Sequence, residues 1–211
     1  MARLCHAGCV ELLTGTGLAT AAGLNAYIPL LVIGLLGRYT DLIELPKSWV
    51  WLENGWVVAI LVVLLAIEFI ADKIPAVDTL NDVVQTLVRP TAGGLAFAAG
   101  SGSETVMVKN PGDLFTQKLW IPIVVGLLIA LTVHGAKATV RPVANVATVG
   151  LAAPVVSTAE DVTSTGLSLT AIIIPILVII FLILLVWLFL RWRRKRKNRW
   201  RGQPALVDHS R

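Results

Sequence analysis

Two carboxylates four residues apart, Glu68 and Asp72, close an otherwise apolar run, WVVAILVVLLAIEFIAD (Trp56 to Asp72). On a helix they lie on one face, about one turn apart. If the run enters a bilayer near Val57, Glu68 lies about 16 Å deep in a hydrocarbon core about 30 Å thick. A charged side chain there costs about 2.5–3.5 kcal/mol unless it faces a partner or a water-filled cavity. The same constraint applies to Lys73, to Arg89, to His134, Lys137 and Arg141 at the end of a second apolar run, and to Asn25 and Asn145. These nine residues are too many polar groups to face lipid, so they are expected to turn inward and meet one another or water. The paired carboxylates are suited to holding a cation or passing a proton, and His134 to relaying one. The arginines suit an anionic group. The alternative is ion pairing that serves packing alone.

The elements that would position these residues read as helices. Apolar spans run from about Leu12 to Leu36, Val57 to Ile70, Trp120 to Val133, and Gly166 to Leu190. The last is 25 residues, about 37 Å of helix, and is long enough to cross with some tilt. Asn25 and Pro29 interrupt the first span, whose Gly15, Gly17 and Gly23 suit close helix approach and self-association. Trp49, Trp51 and Trp56 are expected at an interface. Ala76 to Val88 has apolar residues at helical spacing, and Arg89-Pro90 is read as its end. Thr91 to Gly100 and the run after Arg141-Pro142 are too short to cross alone. The polar stretch Thr158 to Thr165 reads as a connection. The expected class is therefore an all-α membrane protein with four long transmembrane helices and two short interrupted or re-entrant segments.

Val88-Arg89-Pro90-Thr91-Ala92 and Val140-Arg141-Pro142-Val143-Ala144 share the pattern VRPxA. Each follows an apolar span and a lysine, which suggests an inverted repeat over about residues 57–104 and 120–161. Proline suits a helix's first turn, so Pro90 and Pro142 are read as starts of half-helices whose N-termini lie beside an arginine. A plainer reading places each Arg-Pro at the membrane surface, with the arginine reaching a lipid phosphate.

Composition agrees with a membrane chain: 56% of the 211 residues are hydrophobic and 15% charged, against about 25% charged in soluble domains. The net charge of +5 comes from one tail, since eight of the 18 basic residues lie between Arg191 and Arg201. A basic cluster directly after an apolar span marks a cytoplasmic flank. Arg191, Arg193, Arg194, Lys195, Arg196 and Lys197 are expected to bind anionic lipid headgroups. Trp192 and Trp200 among these cations could suit single-stranded nucleic acid, but the place in the chain favours lipid, and no nucleic acid is expected. The divisions are a polytopic domain over 1–165, a C-terminal transmembrane helix over 166–190, and a basic tail over 191–211.

No catalytic set is evident: there is no Ser-His-Asp arrangement, and neither a cofactor nor a metal is implied. Cys5, His6 and Cys9 supply three neighbours where tetrahedral zinc takes four, and free thiols are expected. The first apolar stretch is long, glycine-rich and polar inside, unlike a cleavable signal peptide.

GLNAYIPLL (Gly23 to Leu31), EFIADKIPAVD (Glu68 to Asp78) and VRPTAGG (Val88 to Gly94) resemble a bacterial integral-membrane family, domain of unknown function 4126, over most of the chain to about Ala159. The resemblance implies a small multispanning plasma-membrane protein and assigns no catalytic or binding residue. The expected function is a small transporter or channel-like protein for an ion or anionic solute, homo-oligomeric or part of a membrane complex, with both termini cytoplasmic. The alternative is a non-transporting scaffold or accessory subunit.

Overall fold

The computed structural model describes residues 2–72, 75–102, 120–148, 152–175, 177–178, 180, 183–184, 186–187 and 191. Among the described residues six α-helices follow one another: α1 (Ala2–Leu24), α2 (Tyr27–Tyr39), α3 (Gly55–Ala71), α4 (Pro75–Gly100), α5 (Ile121–Ala147) and α6 (Ala152–Ile173), with a 3-10 turn at Val50–Glu53 before α3. No strand occurs among the described residues. Residues 1–178 form one compact unit and 179–211 a second.

Local chemistry explains the boundaries. The first apolar stretch divides at Asn25, whose Oδ1 accepts from the N–H groups of Tyr27 (3.1 Å) and Ile28 (3.2 Å) and so caps α2. Asn54 caps α3 in the same way, its side chain accepting from the Trp56 N–H at 2.9 Å. Pro75, Pro122 and Pro154 fall in the first turns of α4, α5 and α6, where the missing N–H would find no intrahelical partner anyway.

Pro90 and Pro142 do not start half-helices. Pro90 lies inside α4, which runs unbroken for 26 residues, and α5 continues past Pro142 to Ala147. Proline's φ is itself helical, and its cost, a lost bond and a clash one turn back, is met here by dense packing. Residues 96–99 after it are all buried. Thr91–Gly100 is thus no re-entrant piece but the last part of a helix about 39 Å long. The two VRPxA copies occupy unlike places, mid-helix in α4 and near the end of α5.

The run from Gly166 to Leu190 is not one helix either. α6 begins far earlier, at Ala152, takes in the polar stretch 158–165, and ends at Ile173 ahead of Pro175, because a residue before proline is pushed out of the helical region. In the second unit the Arg191 guanidinium lies 5.0 Å from the Trp187 ring centroid. Arg193, Arg194, Lys195, Arg196 and Lys197 lie outside the described residues.

Small residues bring the helices together. A Cβ on Gly93 would strike Ala130 of α5, and one on Gly126 would strike the Gly93 carbonyl and Phe97. Gly15 meets the Phe97 carbonyl, Gly23 meets Ala130 and Val133, and Gly17 meets Ala171 and Val178. The glycine-rich face of α1, expected to serve self-association, is therefore used inside the chain. Trp49, expected at an interface, is buried, whereas Trp51 and Trp56 are exposed.

Among the described residues one helical segment, Ile121–Thr139, is long and apolar enough to cross a membrane, while Val10–Leu24, α2 and α3 are apolar and shorter. The outside of the bundle is greasy: on α3 alone Ile60, Val62, Val63, Ile67, Phe69 and Ile70 are exposed.

Replacing Gly93 with Val should overpack the α4–α5 crossing by about 1–3 kcal/mol. That would lower the melting temperature of the detergent-purified protein by about 2–4 °C per kcal/mol. Gly135→Ala, with open space around it, should leave the midpoint unchanged or raise it. Equal midpoints for Gly93→Val and the parent would show that this close approach is not required.

Candidate functional site

Five charged residues drawn from α3, α4, α5 and α6 meet in a chain of alternating sign. Arg89 of α4 donates from Nη2 to Glu68 Oε1 of α3 at 2.9 Å. The same nitrogen lies 3.8 Å from Asp72 Oδ2, just past the end of α3. Asp72 Oδ2 is in turn 3.9 Å from Lys137 Nζ of α5, and Lys137 reaches Glu160 Oε2 of α6 at 2.8 Å. Glu68 and Arg89 are 1% and 0% exposed. The first two links join α3 to α4, the third joins the end of α3 to α5 and the fourth joins α5 to α6, so the chain ties four helices together.

Helical spacing delivers these groups. Glu68 and Asp72 are one turn apart on α3, and Asn81, Gln85 and Arg89 follow at intervals of four on α4. His134 and Lys137 stand three apart on α5, and Ser157, Glu160, Asp161, Ser164 and Ser168 form one stripe on α6. Hydrogen bonds extend the chain at its edges. Asn81 donates from Nδ2 to Asp72 Oδ1 at 2.8 Å. Gln85 lies beside the Tyr27 hydroxyl of α2. Asn25 donates from Nδ2 to Asp161 Oδ1 at 2.9 Å, tying the α1–α2 break to α6.

The end of α1 is served by the same side chains. Lys137 Nζ donates to the Leu24 carbonyl at 3.3 Å, and Ser164 Oγ donates to the Ala21 carbonyl at 3.0 Å. Terminal carbonyls of a helix lack intrahelical partners and carry the negative end of its dipole, so a lysine there is doubly favourable.

His134 can be read to the proton. Its Nδ1 lies 3.3 Å from Arg89 Nη1 and its Nε2 3.2 Å from Thr86 Oγ1. A guanidinium only donates, so Nδ1 must accept, which leaves the proton on Nε2 to be donated to Thr86. This ring is a neutral brace for Arg89.

Not every buried atom is satisfied. Glu68 Oε2, Gln85 Oε1 and Arg89 Nε are buried and have no hydrogen-bond partner among the described residues. Buried unpaired groups are few in native proteins and each calls for a reason.

Of the residues singled out from sequence, Asn25, Glu68, Asp72, Arg89, His134 and Lys137 come together here. Arg141 and Asn145 lie on α5, with side chains outside the described ones, and Lys73 lies outside the described residues altogether. Sequence reasoning missed Asn81, Gln85, Thr86, Ser164 and Tyr27, and placed Glu160 and Asp161 in a connection. The signal for α6 was the three-and-four spacing of its polar residues from Ser157 to Ser168. Among the described residues no group of three or more His, Cys, Asp or Glu could hold a metal.

The family model for Domain of unknown function (DUF4126) matches residues 12–195, so the chain belongs to that family. No curated protein and no solved structure matches it.

Removing one partner of a buried ion pair strands the other charge and costs about 3–5 kcal/mol. Arg89→Met should therefore destabilise strongly in a thermal melt in detergent. Arg89→Met combined with Glu68→Met should regain most of that loss. If the double variant is as unstable as the sum of the singles, the pairing does not govern this core.

Proposed function

We propose that this member of a family without assigned function is a membrane-embedded transporter or channel-like protein that moves a proton or small cation through its ionic chain. The membrane setting is supported by the inverted distribution of side chains. Charges converge inside, while Ile67, Phe69 and Ile70 of α3, Leu128 and Leu131 of α5, and Val155, Val162 and Ile173 of α6 are exposed. A soluble protein rarely exposes contiguous apolar patches beyond a few hundred Å², whereas lipid accepts them at no cost.

The observation that carries the reading is Glu68. One of its oxygens holds Arg89 and the other is buried with no hydrogen-bond partner among the described residues, which is where a proton or small cation would sit. An occupant there weakens the grip on Arg89, whose Nη2 already has Asp72 Oδ2 at 3.8 Å. Asp72 also faces Lys137, so a change at Glu68 is passed along the chain to α5 and α6. Only Leu61 and Glu68 of α3 are buried, so the same event loosens the attachment of a whole helix. Arg89, already facing two carboxylates, is poorly placed to attract an anionic solute, and the geometry favours a cation over an anion.

Self-association or assembly with a larger complex is the second reading, and the broad apolar face of α3 favours it. Co-purification of a stoichiometric partner from native membranes supports it.

The test is flux in proteoliposomes with a pH-sensitive dye and with monovalent and divalent cation indicators. Wild type should show flux, and Glu68→Gln, which keeps shape and removes the charge, should abolish it. Absence of flux for every ion, with Glu68→Gln indistinguishable from wild type, overturns the transport reading.

A further inference from the structure

A cavity separate from the ionic chain lies toward the other end of α1 and α4. It holds about 210 Å³ and is lined by residues that include Glu11, Thr14, Leu18, Ile33, Glu44 and Gly100. At about 30 Å³ per molecule it has room for about seven waters. Its distance from the chain can be read along two helices. Thr14 and Asn25 are 11 residues apart along α1, and Arg89 and Gly100 are 11 apart along α4, about 16 Å in each case.

We infer that this cavity is the aqueous mouth of the cation route, and that Leu18 and Ile33 are the gate that shuts it from the ionic chain. This rests on the transport reading above. Both gate residues line the cavity, yet Leu18 is 0% and Ile33 1% exposed, so they form its floor. Beneath them, toward Asn25, the α1 wall is made of Ala21 and Ala22, both fully buried. From Leu18 to Asn25 is seven residues, about 10 Å, the length of the apolar neck that the inference requires. A narrow apolar neck resists wetting and blocks ions without any covalent closure, and widening it lets water and ions through.

The gate has a seat. Leu18 Cδ1 fills the place where a side chain on Gly100 would begin. Alanine at position 100 would push Leu18 off it. The rim also has a charge sign. Glu11 and Glu44 are exposed at the cavity. The Glu11 carboxylate carbon comes within 3.6 Å of a Cβ position on Gly102, whose φ of 66° few other residues adopt. Two carboxylates at a mouth enrich cations and exclude anions, the selectivity that a carboxylate site at Glu68 needs.

The experiment uses the full chain with Cys5 and Cys9 replaced by Ser, reconstituted in vesicles, and a membrane-impermeant charged thiol reagent. Thr14→Cys should be modified from one side of the membrane, and Ala22→Cys should not. Adding Leu18→Ala to Ala22→Cys should open the neck and make position 22 reactive from that side, and Gly100→Ala should do the same. Ile33→Ala serves where Leu18→Ala does not fold. In flux assays Leu18→Ala should raise the cation leak several-fold.

An unreactive Thr14→Cys, or an Ala22→Cys equally reactive with and without the gate substitutions, overturns the inference. The labelling does not depend on Glu68. If the gate variants open position 22 while Glu68→Gln leaves flux unaltered, the mouth and gate stand and the ionic-chain mechanism falls.

Discussion

Everything in this bundle depends on five ionised side chains, drawn from four helices, finding one another away from water. At 2.9 Å and an effective dielectric constant of about 20, the Glu68–Arg89 attraction is about 6 kcal/mol. The effective desolvation of the two ions, several kcal/mol each, consumes a gain of that size. The pair therefore adds little net stability. What it adds is intolerance of alternatives, since any arrangement that parts Arg89 from its carboxylates strands a charge in an apolar interior. The interaction fixes which face of α3 turns inward, because α3 has little else to bury.

That constraint can be met only if the helices come close enough. Arg89 and His134 touch across the α4–α5 interface because Gly93, Gly126 and Ala130 allow near-contact of the two backbones. A larger residue at this crossing would hold the ring and the guanidinium apart. The small residues of α1 act likewise, so that its C-terminal carbonyl at Leu24 comes within reach of Lys137. Glycine packing and ion pairing are thus two halves of one arrangement, the first setting the distance over which the second operates.

The inward convergence was legible in the sequence for a physical reason. Glu68, Asp72, Arg89, His134 and Lys137 are embedded in runs that leave a charge no cheap place except beside another charge. The helix boundaries were not. Arg89-Pro90 carries the local mark of a helix end, yet α4 passes through it because packing on both sides outweighs the lost hydrogen bond. Residues 158–165 carry the mark of a polar stretch between spans, yet they are helical, because the polar groups at 157, 160, 161, 164 and 168 share one stripe, from which Glu160, Asp161 and Ser164 reach Lys137, Asn25 and the Ala21 carbonyl. Local polarity cannot distinguish a solvated segment from a helix turned toward a polar interior. The partners that decide between them, Asn25 and Lys137, lie far away in sequence. Asn25 showed the opposite difficulty, since its break in the first span was visible while its role as both cap and partner of Asp161 was not.

The arrangement of distances within the chain bears on whether it is static. The two outer links are tight, 2.9 Å at Glu68–Arg89 and 2.8 Å at Lys137–Glu160, while both inner links through Asp72 are long, 3.8 and 3.9 Å. Asp72 Oδ2 thus faces Arg89 and Lys137 at nearly equal distance, while its Oδ1 accepts from Asn81. A core built only for rigidity would be expected to close such links, because a long buried ion pair carries much of the desolvation cost and less of the attraction. A shared central carboxylate lets either cation shift toward it when its outer partner is neutralised, with no charge left unpaired along the way. The proposed movement of a proton or cation through this low-dielectric interior needs such exchange.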